Sequence, residues 1–193
     1  MFTGIIQEMG EIINLQQAKD VCTLAIACPE SWLKKSQLGD SIAVNGVCLT
    51  ITQLGSSQFH ADLAPSTLQK TALKNLRLKS KVNLEMAMTL ESFMGGHLVQ
   101  GHVNDVAKVE KIEKIDNCTL LSITLPEDLM KYCVPEGSIT IDGTSLTLSH
   151  MEHQTVQMNI IPHTLDKTII SHYKVGQLVN VEVDIIAKYM EKW

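Results

Sequence analysis

The feature that most constrains this chain is that it repeats itself. Displaced by 97 residues, the 193-residue sequence comes into register with itself without a gap. Asn45-Gly46-Val47-Cys48-Leu49-Thr50 then lies over Asp142-Gly143-Thr144-Ser145-Leu146-Thr147. Pro65-Ser66-Thr67-Leu68-Gln69-Lys70-Thr71 lies over Pro162-His163-Thr164-Leu165-Asp166-Lys167-Thr168, and Val82-Asn83-Leu84-Glu85 over Val179-Asn180-Val181-Glu182. From Gly4 to Glu85, 19 of 82 positions are identical to their mates, clustered in these motifs. The period is too long for a solenoid and suits a duplicated small domain.

Each copy reads as β structure. Ser41-Ile42-Ala43-Val44 and Ser138-Ile139-Thr140-Ile141 alternate with period two and run into Asn-Gly or Asp-Gly; the alternation then resumes. That pattern is a hairpin with a tight primed turn. Ser122 to Leu125 and Lys81 to Glu85 read as further strands, and short strands with turns about every ten residues suggest a sandwich or small barrel. A brief helix is expected after each Pro-Glu pair, at 31–36 and 128–133. Ile185, Ile186, Tyr189, Met190 and Trp193 recur at helical spacing near the end of the chain. The organisation is therefore expected to be 1–90, a linker at 91–97, 98–184, and a terminal helix at 185–193.

Composition narrows the function. Sixteen Lys and Arg against 21 Asp and Glu give a net charge of −5, which argues against a grip on nucleic acid, as do only eight aromatic residues. No apolar run would span a bilayer. The five cysteines, Cys22, Cys28, Cys48, Cys118 and Cys133, are odd in number and contain no CxxC pair. With no signal-peptide pattern at the N-terminus, a reducing cytoplasm is expected.

The opening Met1-Phe2-Thr3-Gly4-Ile5-Ile6, the paired Gly-x-(Cys/Ser)-Leu-Thr hairpins and Gly95-Gly96-His97-Leu98-Val99-Gln100-Gly101-His102-Val103 together resemble the riboflavin synthase family over essentially the whole chain. The resemblance implies an all-β fold of two homologous six-stranded Greek-key β-barrels in tandem plus a short C-terminal α-helix. It implies dismutation of two 6,7-dimethyl-8-ribityllumazine molecules: a four-carbon unit passes from one to the other, giving riboflavin and 5-amino-6-ribitylaminouracil. No metal or other cofactor is implied. The implied assembly is a homotrimer with the active site between barrels of neighbouring subunits, and association with lumazine synthase is a further expectation.

As catalytic candidates the resemblance implies Cys48, His102, Ser145 and Thr147. Cys48 is a potential nucleophile or proton carrier, and His102 a potential acid or base near neutral pH. The expected substrate-binding set in the first copy is Phe2, Thr3, Gly4, Ile5 and Ile6, then Cys48, Leu49 and Thr50, then Asp62, Leu63, Ala64, Pro65, Ser66 and Thr67. In the second copy it is Gly101, His102 and Val103, then Glu136, then Ser145, Leu146 and Thr147, then Ile160, Ile161, Pro162, His163, Thr164 and Leu165. Phe2 and Thr3 are expected at the pocket mouth. His97, five residues before His102, is expected to tether the linker rather than to act on substrate. A zinc site from these two histidines is not expected, because no further ligands complete it.

Three positions depart from the family pattern. Glu136-Gly137-Ser138 stands where Lys-Gly-Ser is usual, Pro65-Ser66-Thr67 where Pro-Glu-Thr is usual, and with the sequence ending at Trp193 an abbreviated final helix is expected. The competing reading is a non-catalytic lumazine- or flavin-binding protein on the same scaffold. The presence of Cys48, Thr50, His102, Ser145 and Thr147 favours the enzyme.

Overall fold

The structure, a computed structural model, describes residues 1–18 and 21–192. In the first repeat the elements are β1 (Glu8–Ala18), β2 (Val21–Ala27), α1 (Glu30–Leu33), β3 (Ser41–Val44), β4 (Val47–Leu54), β5 (Gln58–Leu63), α2 (Pro65–Lys70) and β6 (Lys81–Met86). In the second they are β7 (Asp105–Ile115), β8 (Cys118–Thr124), α3 (Glu127–Met130), β9 (Ser138–Ile141), β10 (Thr144–Thr147), β11 (His150–Glu152), β12 (Thr155–Ile160), α4 (Pro162–Lys167) and β13 (Leu178–Val183), followed by α5 (Ile185–Met190).

Both hairpins turn as the pattern requires. Asn45 and Gly46 have φ of 46° and 75°, and Asp142 and Gly143 have 42° and 81°. Two successive left-handed residues make the turn whose twist matches paired strands. Pro65-Ser66-Thr67 and Pro162-His163-Thr164 open short helices: Pro65 and Pro162 occupy the first turn of α2 and α4, where a missing N–H costs nothing.

The first repeat closes into a six-stranded barrel in the order β1-β2-β5-β4-β3-β6. The second differs from the expected six strands and forms a seven-stranded sheet, β10-β9-β13-β7-β8-β12-β11. Its two edge strands are consecutive in the chain, so the sheet curls until its edges meet at Leu148 and Ser149. There Leu148 N–H donates to Gly137 O (2.9 Å) and Ser149 N–H to Gln157 O (2.8 Å), so the chain changes partner. The first repeat makes the same change as a bulge between Ile51 and Gln53 inside a continuous β4. Each sheet encloses its own core, with Ile26, Phe59 and Leu84 in one and Leu121, Ile141 and Val181 in the other, all 0% exposed.

The repeats face each other across a pseudo-twofold axis. Phe2 pairs with its own repeat mate, Val99: Phe2 N–H donates to Val99 O at 2.7 Å and Val99 N–H to Phe2 O at 3.1 Å. The hairpin tips abut, and a Cβ on Gly46 would lie 2.6 Å from Gly143 N. Two buried amides complete the contact. Asn83 Nδ2 donates to Asp142 O and Asn180 Nδ2 to Asn45 O, both at 2.8 Å. Their Oδ1 atoms accept from Ile169 N–H and Ala72 N–H across the same interface.

Asp184 caps α5 by accepting from Ile186 N–H. Lys131 and Tyr132 hold the far end through Glu191. Ile186, Tyr189 and Met190 remain exposed, and Trp193, expected on this helix, lies outside the described residues. Among the described residues, no helix is long and apolar enough to cross a membrane.

Candidate active site

The approaches to the two barrels are exchanged. The N-terminal strap leaves β1 and lays Gly4 on the second barrel, where Gly4 O accepts Ser145 N–H at 2.7 Å. The inter-repeat strap reciprocates: Gly101 O accepts Cys48 N–H at 2.9 Å. Both glycines have φ near +76°. A Cβ on Gly4 would fall 2.6 Å from Ser145 Cβ, and one on Gly101 2.7 Å from Cys48 Cβ, so only glycine fits. Val103 accordingly packs on the core of the first barrel, although by sequence order it belongs to the second repeat.

Strand alternation sorts the remaining candidates. Leu49, Leu63, Leu146 and Ile160 point into the cores, and Phe2, Thr3, Gly4 and Gly101 are buried in the straps. Phe2 and Thr3, expected at the pocket mouth, are buried instead: Phe2 is 0% exposed and packs with Ala43 and Val99, and Thr3 donates to Glu85. An apolar ring at the pseudo-twofold axis is worth more as packing between barrels than in solvent.

What faces outward on the first barrel is one patch. Half-buried Cys48 and exposed Thr50 lie on β4, exposed Asp62 on β5, and Ala64, Pro65, Ser66 and Thr67 at the start of α2. Ile51 pairs with Ala61, so Thr50 and Asp62 are the next residues along these adjacent strands. Asp62 Oδ1 accepts from Thr23 Oγ1–H at 2.6 Å. The exchanged strap adds exposed His102 beside Cys48.

The second barrel repeats the patch with Ser145 and Thr147 on β10, and with Ile161, Pro162, His163, Thr164 and Leu165 at α4. Its strap contributes exposed Ile5 and half-buried Ile6 in place of His102 and Val103. Glu136 is exposed and left-handed at φ 62°, where the first repeat has Gly39, and its N–H donates to Leu148 O beside Thr147.

One residue joins the site beyond those expected, and His97 lies nearer to the site than its expected tethering role implies. Asn159, exposed on β12, is the repeat mate of Asp62, and the 97-residue offset alone identifies it. His97 has no repeat mate, so the offset could not find it. It does tether the linker as expected, but through the site: its Nδ1 lies 2.7 Å from Ser145 Oγ and its Nε2 3.1 Å from Thr140 Oγ1. Burial pushes the imidazole below its ordinary pKa, opposed by the charge of Asp184. A neutral ring with Nε2–H donating to Thr140 leaves Nδ1 free to accept from Ser145 Oγ–H. The first barrel has Ala43 in place of Thr140 and no such histidine, so the patches share a shape and differ in chemistry.

Comparison with known proteins gives this geometry its class. The lumazine binding domain family matches twice, over residues 3–87 and 100–184, which defines a tandem lumazine-binding fold. Riboflavin synthase of Bacillus subtilis is 44% identical over 193 residues, covering all of this chain and 89% of that protein. Riboflavin synthase of Mycobacterium tuberculosis is 40% identical over 196 residues, covering 100% and 97%. Among solved structures, LumP complexed with riboflavin superimposes with a TM-score of 0.89 at 26% identity, covering 95% of this chain and 99% of that one. LumP complexed with 6,7-dimethyl-8-(1'-D-ribityl) lumazine gives 0.86. The chain belongs to the riboflavin synthase family.

Proposed function

We propose that this protein binds one 6,7-dimethyl-8-ribityllumazine on each patch and transfers a four-carbon unit between them, forming riboflavin and 5-amino-6-ribitylaminouracil. The observation that carries this reading is the pair of outward patches at a constant 97-residue offset, alike in shape and unlike in chemistry. A reaction between two copies of one molecule needs two similar receptors, and one that treats them as donor and acceptor needs the receptors to differ. The two products contain every atom of the two substrates, so the transfer needs no external oxidant or reductant.

Both patches are open. Thr50, Asp62, Ala64, Pro65 and Ser66 are exposed on one, and Thr147, Ile161, Pro162 and His163 on the other. Each requires a cover to exclude water. We assign that cover to the opposite patch of a neighbouring subunit, a head-to-tail contact that closes as a ring. The expected ring is a trimer, to which the exposed face of α5 contributes. Bringing two lumazines into one enclosed site removes an entropic barrier that can reach roughly 7–11 kcal/mol.

Within that site the 7-methyl group of a bound lumazine is acidic, because its anion delocalises into the ring. The hydrogen-bonded Ser145–His97 pair is suited to take and return that proton, since a neutral imidazole accepts from the hydroxyl. Cys48 and His102 supply a nucleophile and a second acid or base at the other patch. The hydroxyls of Thr50 and Thr147 and the polar groups of Asp62, Thr67, Thr164 and Glu136 are assigned to the ribityl chain and ring edge. The reading extends to a cytoplasmic location and to association with lumazine synthase, which co-sedimentation would detect.

The test is to incubate the purified protein with the lumazine and follow riboflavin by fluorescence, with two substrates consumed per riboflavin. Tight binding without conversion would overturn the catalytic reading in favour of a carrier.

A further inference from the structure

Two buried carboxylates, so far without a task, hold the exchanged straps. Glu85 on β6 is 1% exposed and accepts Thr3 N–H at 2.7 Å, Thr3 Oγ1–H at 2.7 Å and Gly4 N–H at 3.0 Å. Glu182 on β13, its repeat mate, is 4% exposed and accepts Gln100 N–H at 2.7 Å and Gly101 N–H at 2.9 Å. Among the described residues, no lysine or arginine forms a salt bridge with either one. Successive backbone N–H groups aimed at one carboxylate form an anion nest, and the left-handed glycine at its end turns the chain out of it.

The connections beyond the nests cross between barrels. Glu182 holds Gly101 N–H; Gly101 O holds Cys48 N–H; a Cβ on Gly101 would lie 2.7 Å from Cys48 Cβ; and the next residue is His102. Glu85 holds Gly4 N–H; Gly4 O holds Ser145 N–H; and Ser145 Oγ meets His97.

We propose that Glu85 and Glu182 are positioning residues wired to opposite barrels: Glu182, built into the second barrel, sets the geometry at Cys48 and His102 of the first patch, and Glu85, built into the first, sets the geometry at Ser145 and His97 of the second. A carboxylate can accept both strap amides. A glutamine in its place offers one acceptor and turns an NH2 toward the other amide, so the strap must shift. The catalytic consequence rests on the function proposed above; the structural consequence does not.

The experiment uses the full chain with E85Q and E182Q, both checked for folding by circular dichroism. Three quantities are read: the rate of Cys48 alkylation by iodoacetamide, mapped by peptide mass spectrometry with Cys118 as internal reference; the imidazole resonances of His97; and kcat and KM for riboflavin formation. E182Q changes the Cys48 rate by about tenfold, the scale of one charge-assisted hydrogen bond, and leaves the His97 resonances in place. E85Q shifts the His97 resonances and leaves the Cys48 rate within about twofold, as separated sites do. Coupling within the same barrel, or equal effects of both variants on both readouts, overturns the proposal. If E85Q fails to fold, Thr3→Val removes one of its three donors and must move His97 but not Cys48. If E182Q fails, Glu182→Asp, which keeps the charge but withdraws it from the amides, must move Cys48 but not His97. A wild-type protein that makes no riboflavin defeats the functional reading alone, since the thiol and imidazole readouts still decide the wiring.

Discussion

Replacing Asp142 by asparagine should flatten the pH dependence of stability. Asp142 sits at the β9–β10 turn, 2% exposed, where Oδ1 accepts Asn180 N–H (2.8 Å) and Oδ2 accepts Tyr173 Oη–H (2.7 Å). Burial raises its carboxyl from 3.8 to about 7, against the pull of those two hydrogen bonds. A carboxyl whose pKa is higher folded than unfolded takes up a proton on folding. Its contribution to stability is therefore full below about pH 4 and is lost as pH rises through about 7. The span is about three pH units, and at ~1.4 kcal/mol per unit the contribution lost is at most ~4 kcal/mol. Asparagine is already the repeat's own solution: Asn45 occupies the equivalent turn, and its Oδ1 accepts Asn83 N–H at 2.7 Å. In D142N the new Oδ1 keeps the bond from Asn180, and its NH2 donates to the Tyr173 oxygen. Urea unfolding of both proteins between pH 4 and pH 8 gives the difference curve, in which the shared contributions of Glu85 and Glu182 cancel. D142N should gain on the wild type steadily as pH rises and level off above about 7. Parallel curves would refute the assignment of the raised pKa to Asp142.

Other outcomes follow from single contacts. Gly46→Ala places a Cβ 2.6 Å from Gly143 N at φ 75°, and should cost ~3 kcal/mol or more in urea unfolding as the hairpin tips are forced apart. Glu136→Gly relieves an exposed left-handed non-glycine residue at φ 62° and should add ~0.5–1 kcal/mol, read as a higher melting temperature. Ser145→Ala removes the partner of His97 and should slow riboflavin formation by about a hundredfold with an unchanged circular dichroism spectrum. An unchanged rate would remove the pair from the mechanism.

Much of the architecture was legible because duplication made each motif a check on its mate. Asn45-Gly46 and Asp142-Gly143 declared two hairpins, and alternation around Cys48 and Ser145 told which neighbours face the core. Asn159 was equally legible through its offset from Asp62. The exchange of straps was not. Because the barrels are alike, a strap carrying Gly101 and His102 fits either one, and no local pattern records which it meets. Phe2 was misplaced for a related reason: an apolar residue near a chain end reads the same whether it lines a pocket or pins two domains.

The sequence by itself determined two similar β domains, their hairpins and the outward polar residues, because turn chemistry and strand alternation are local. Only the tertiary structure decided that each barrel's strap serves the other, that His97 stands behind Ser145, and that Glu85 and Glu182 grip the straps. Those contacts join residues from 48 positions apart (His97 and Ser145) to 141 (Gly4 and Ser145), and their partners are fixed by packing rather than by spacing along the chain.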